Sequence, residues 1–88
     1  MRNTIKIERA LKSITQEDLA KIISVSRQTI NAMEAGKYVP STVLALKIAK
    51  YFGKKVEDIF ELEDGDWNKK SQQKQYIILL LLLYIKLS

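Results

Sequence analysis

The 88-residue chain has no cysteine and no histidine, and it contains a single proline and three glycines. Without cysteine there is no disulfide framework and no thiolate nucleophile. Without histidine the chain lacks the usual general base near neutral pH, and with both missing it lacks the ligands that zinc sites favour. Ser13, Ser24, Ser26, Ser41, Ser71 and Ser88 therefore have no imidazole to activate them. The carboxylates that cluster do so in one run, Glu57 to Asp66, with no glycine-rich phosphate loop nearby. These absences argue against an enzyme, a cofactor or a metal site and in favour of a binding module. The lack of cysteine leaves the redox compartment open, nothing at the N-terminus reads as a cleavable signal, and a cytoplasmic protein is expected. So short a chain accommodates one domain with a small core.

The charge that is present is unevenly placed. Residues 1 to 55 carry eleven Lys and Arg against four acids, whereas residues 56 to 66 carry six acids and no base. A basic body attracts phosphates by releasing their condensed counterions, which makes affinity fall with salt. The acidic segment reads as the solvated end of the domain, turned away from such a partner and holding no ligand.

Thr15 to Gly36, TQEDLAKIISVSRQTINAMEAG, contains two short helix patterns around a three-residue turn. Thr15 is an N-cap, and Asp18 stands where a carboxylate reaches back to complete an acidic capping box. Leu19, Ala20 and Ile23 form the buried stripe. Ser24 and Val25 break the pattern, and Ser26 caps a second helix of about residues 27 to 34. Gly36 lies just beyond its end, where a left-handed residue commonly stops a helix. Ile30 and Met33 anchor this second helix, leaving Arg27, Gln28, Thr29 and Asn31 largely on the other side. Two helices joined so closely cross steeply, which makes the second one project. Arginine pairs with O6 and N7 of guanine, and glutamine or asparagine with N6 and N7 of adenine, so these residue types suit reading of bases in the major groove.

The chain resembles the Xre/Cro group of helix-turn-helix regulators, particularly its small single-domain members. The similarity is carried by TQEDLA, VSRQTINAME, the GK that follows, the PS before the next helix, and KIAKYFGKKVEDIF, over about residues 1 to 62. It implies an all-α, compact five-helix, lambda-repressor-like domain that binds double-stranded operator DNA as a homodimer. A ligand pocket is hard to place in so small a core, so no small-molecule ligand is expected. Position by position, it implies that Gln16 touches a phosphate and braces the recognition helix, and that Arg27 and Gln28 read bases. By the same resemblance Thr29 and Asn31 contact bases or backbone, while Lys37 and Tyr38 contact phosphates, which fixes register without reading sequence. With Ser26 opening the recognition helix, these residues make up the expected DNA-binding set. Arg9 and Glu34 match an internal ion pair. Two positions depart from the pattern: Ser24 stands where glycine is usual, at a turn that calls for positive φ, and Ala35 replaces a frequent asparagine. A non-glycine residue at positive φ costs on the order of 1 kcal/mol.

The remaining segments read as scaffold. A first helix, about Thr4 to Lys12, offers Ile7 and Leu11 at i and i+4, with Ile14 following. Another runs from the cap Ser41 to Phe52, burying Leu44, Ala45, Ile48, Ala49 and Phe52, with Gly53 ending it. Val56, Ile59, Phe60 and Leu62 mark a last short helix; in the resembled family this region contributes to the dimer. The expected division is a DNA-binding domain over residues 1–66 and an extension over residues 67–88. The extension comprises a polar linker, Asn68 to Gln75, and an apolar run, Tyr76 to Ile85. Ten helical residues rise about 15 Å, too little for a hydrocarbon core of about 30 Å. Self-association and an accidental extension of the reading frame stand level as readings of this tail. Membrane contact is disfavoured because the run lacks a polar face.

The reading that best fits all these features is a sequence-specific DNA-binding transcriptional regulator. The alternative is a protein-interaction module, such as an antitoxin or a membrane-associated adaptor using the tail. A cation-bearing, polar first turn on the second motif helix favours the former.

Overall fold

The computed structural model describes residues 1–67 and 83–86. In chain order the elements are β1 (Arg2–Asn3), α1 (Ile5–Leu11), α2 (Gln16–Ile23), α3 (Arg27–Glu34), α4 (Thr42–Phe52), α5 (Val56–Ile59), β2 (Phe60–Glu61) and α6 (Asp64–Trp67). The expected all-α fold with five helices is present as α1 to α5. One helical turn and a short antiparallel strand pair, Arg2 opposite Glu61 and Asn3 opposite Phe60, are added to it.

The local signals explain the boundaries. Thr15 accepts from the Asp18 amide at 3.0 Å while the Asp18 carboxylate accepts from the Thr15 amide at 2.9 Å, closing the capping box of α2. Those bonds to Thr15 hold the Asp18 carboxyl below its usual range. Ser41 caps α4 by accepting from the Leu44 amide. Gly53, at φ +67°, ends α4 without the Cβ penalty of a left-handed residue. Ser24 ends α2 in the same conformation, φ 60° and ψ 50°, as the motif turn requires, and with a Cβ that is strained there.

The core is a single cluster of Ile5, Leu19, Ala20, Ile23, Ile30, Met33, Leu44, Ile48, Ala49, Phe52, Ile59 and Phe60. Every motif helix contributes to it at the expected positions, and Ala45 and Ile14 pack at its edge. Two expectations are corrected. Ile7 and Leu11 are exposed, and α1 instead turns Ile5 and Glu8 inward. This orientation places the Glu8 carboxylate 2.6 Å from the Lys54 ammonium, which neutralises an otherwise costly buried charge. The last helix does not run on through Phe60 and Leu62. Phe60 adopts extended backbone and pairs with the N-terminal strand, and Leu62 lies exposed beyond it.

The acidic segment closes back on the start of the chain. Glu63 and Asp66 flank the Met1 amine at 2.9 and 3.0 Å, and Glu61 pairs with Arg2. The hydrogen bonds that this amine donates to the Glu63 and Asp66 carboxylates push its pKa up.

The expected linker, Asn68 to Gln75, and most of the apolar run, Tyr76 to Leu82, lie outside the described residues. Leu83 to Lys86 are helical and exposed. Among the described residues no helix is long and apolar enough to cross a membrane.

Candidate nucleic-acid interface

α3 is seated by its apolar side. Ile30 and Met33 are 0% exposed, which leaves no freedom to rotate the helix about its axis without opening the core. With those positions inward, Arg27, Gln28 and Asn31 are exposed and Thr29 is half-buried. Arg27 and Gln28 make no side-chain hydrogen bond or ion pair with any described residue. The leading turn is closed by Ser26, whose Oγ accepts from the Thr29 amide at 3.1 Å and lies 2.9 Å from the Thr29 hydroxyl. Thr29 therefore shares its side chain with the cap, while its neighbours stay available.

The trailing end is tied down from three directions. The Gly36 amide donates to the Met33 carbonyl and the Lys37 amide to the Ala32 carbonyl, at 3.0 and 2.9 Å, with Gly36 at φ +73°. These paired bonds satisfy carbonyls that a helix end otherwise leaves open. Asn3 Nδ2 adds a 2.7 Å bond to the Met33 carbonyl, and its Oδ1 accepts from the Ile5 amide. Asn3 thus links the start of α1 to the end of α3, a role the sequence signals only as a polar residue before a helix. Thr4, the nominal cap of α1, makes no side-chain cap bond.

The third tie is polar. Arg9 grips Glu34 through two bonds, Nε to Oε2 at 2.6 Å and Nη2 to Oε1 at 3.0 Å, and its Nη1 donates to the Ile14 carbonyl. The expected internal pair is therefore present, with side chains only 14% and 7% exposed. Gln16, at the start of α2, donates from Nε2 to Glu34 Oε1 at 3.1 Å and to Asn31 Oδ1 at 3.3 Å. Burial pushes the Glu34 carboxyl up, but the bonds from Arg9 and Gln16, together with the nearby charges of Arg9 and Lys6, outweigh it and bring the group below its usual value. The same pairing raises Arg9.

Of the residues singled out from sequence, the fold brings Gln16 and Asn31 together across the α2–α3 pair and joins Ser26 to Thr29. It sets Arg27 and Gln28 on the free leading turn and Lys37 and Tyr38 exposed in the loop after α3. Beyond these, Asn3 and the Gln16–Asn31 bond are parts of the site whose partners are distant in sequence.

Comparison with known proteins gives concordant results. Residues 5–59 match the model of the helix-turn-helix family. The chain is 62% identical over 66 residues to an uncharacterized HTH-type transcriptional regulator of Methanocaldococcus jannaschii, covering 75% of this chain and 100% of that protein. It is 50% identical over 64 residues to the uncharacterized HTH-type transcriptional regulator YgzD of Bacillus subtilis, covering 73% of this chain and 97% of that one. It is also 49% identical over 71 residues to an uncharacterized HTH-type transcriptional regulator of Archaeoglobus fulgidus, covering 80% and 100% of the two chains.

Proposed function

The chain belongs to the helix-turn-helix family, and from that premise we propose that it is a DNA-binding transcriptional regulator of the Cro/C1 type that reads sequence with α3. The observation that carries this reading is the division of α3 between two wholly buried anchors, Ile30 and Met33, and an exposed Arg27–Gln28 pair with no partner among the described residues. Side chains of these types, presented on a fixed helix, match the donor and acceptor patterns of base edges. In this reading Arg27 and Gln28 contact bases, and Ser26 and Thr29 close and border the leading turn. Lys37 and Tyr38 follow the phosphates, and Gln16 braces α3 from α2.

Residues 1–66 form the DNA-binding unit, working in the cytoplasm without a cofactor. Two copies bind half-sites about one helical turn, roughly 34 Å, apart. Val39, Val43 and Leu46, exposed on and beside α4, provide apolar surface for pairing. Selection of bound duplexes from a random library tests the reading. A consensus with two-fold symmetry is expected, and recovery of unselected sequence would refute it.

A further inference from the structure

An apolar recess of about 230 Å³ lies beside α4, walled by Met1, Val39, Pro40, Leu46, Val56 and Phe60. It stands open among the described residues, with Val39 and Leu46 exposed at its rim. Small-molecule sites run from about 300 to 1,000 Å³, so this recess has the size of a seat for side chains. The chain leaves the domain beside one of its walls, because the Asp66 carboxylate lies 3.0 Å from the amine of Met1 and Trp67 follows directly. Further along the same chain, Leu83 and Tyr84 belong to a helical turn and are exposed. One copy thus carries an unfilled apolar seat and an unseated apolar turn. Surfaces of this kind mark sites of association.

On the reading that two copies pair through the α4 surface, we propose that each recess is filled by the Leu83–Tyr84 turn of the other copy, an exchange that two-fold symmetry makes reciprocal. Area favours a second copy as the occupant. A stable interface buries roughly 800 Å² per partner, which the exposed side chains of Val39, Val43 and Leu46 do not reach alone. A buried tyrosine contributes about 150 to 250 Å², and the exchange makes every contact twice. The chain from Trp67 to Leu83 reaches up to about 55 Å when extended, more than the span of one small domain. Shape agrees as well, since an open recess takes the Tyr84 ring against apolar walls and leaves its hydroxyl in water. Within a single copy both surfaces stay exposed, and the exchange removes both from water.

The chain has no cysteine, so two introduced thiols report on each other alone. The double variant Leu46→Cys, Tyr84→Cys is prepared as the full chain in isotopically heavy and light forms, mixed under reducing conditions, oxidised and digested for mass spectrometry. A disulfide forms only where the two Cα atoms come within about 7 Å. The expected product joins the Leu46 site to the Tyr84 site, with about half of it linking a heavy chain to a light one. Linked peptides that are only wholly heavy or wholly light would seat the turn on its own copy and overturn the proposal. A predominant link between two Tyr84 sites, or no link at all, would also overturn it. A second measurement needs no thiols: Leu83→Asp with Tyr84→Asp, at native helicity by circular dichroism, should raise the dimer Kd about tenfold or more in sedimentation. An unchanged Kd would overturn the exchange. Neither readout involves DNA, so a failed exchange leaves α3 as the reading helix, whereas a missing consensus in site selection would defeat that reading and leave the disulfide pattern as it is.

Discussion

The two ends of α3 are built in opposite ways. At the trailing end Asn31, Met33, Glu34 and Gly36 are held by Gln16, Asn3, Arg9 and the turn into Lys37. At the leading end the Arg27 and Gln28 side chains have no hydrogen-bond or ion-pair partner among the described residues. A reading surface works when the helix does not move and its tips have unspent hydrogen-bonding capacity, because ordering costs are then met in folding and not again in binding. The contrast teaches that rigidity and availability are assigned here to different turns of one eight-residue helix.

The comparison is broken most severely by removing the anchor on which both ends depend. Ile30→Ala should cost about 2 to 5 kcal/mol, enough to leave a domain this small largely unfolded in urea or thermal melts. Arg9→Ala strikes the trailing end alone, leaving the Glu34 carboxylate without its ion partner in a site 7% exposed. A loss of about 2 to 4 kcal/mol is expected by urea denaturation. Because the Glu34 pKa is lowered on folding, the stability it contributes is complete above its ordinary value of 4.5 and is lost as pH falls through the lowered one. Glu34→Gln should accordingly flatten the acid limb of a stability–pH profile.

Milder changes sharpen the contrast. Ser24→Gly, which relieves a left-handed residue in the turn before the leading end, should raise stability by about 1 kcal/mol in the same denaturation experiment. Arg27→Ala with Gln28→Ala should leave stability within about 0.5 kcal/mol of the parent, since neither side chain has a hydrogen-bond or ion-pair partner among the described residues to lose. Lys37→Ala should reduce the slope of log affinity against log salt by about one, weakening all sequences alike.

The parts of this fold written in short-range pattern were legible from sequence. Thr15 with Asp18, Ser26, Ser41, Gly36 and Gly53 announced the helix ends, and Leu19, Ile23, Ile30, Met33, Ile48 and Phe52 announced the buried faces. What escaped depends on pairs distant in the chain. In seven-residue α1 the spacing of Ile7 and Leu11 was as good a stripe as any. It lost because Lys54, forty-six residues away, makes an inward Glu8 tolerable. Phe60 looked like helix because its strand partner, Asn3, is at the other end of the domain. The site followed the same division. The residue types on the leading turn stood out locally, while the bonds of Asn3 to Met33 and of Gln16 to Asn31 needed the helices to be packed before they existed.

The most direct test of the division of α3 is parallel site selection with the parent chain and with the Arg27→Ala, Gln28→Ala double variant, both shown to be folded. Loss of preference at adjacent base positions, with residual salt-dependent binding retained, is the expected result. The same consensus recovered by both proteins would contradict it.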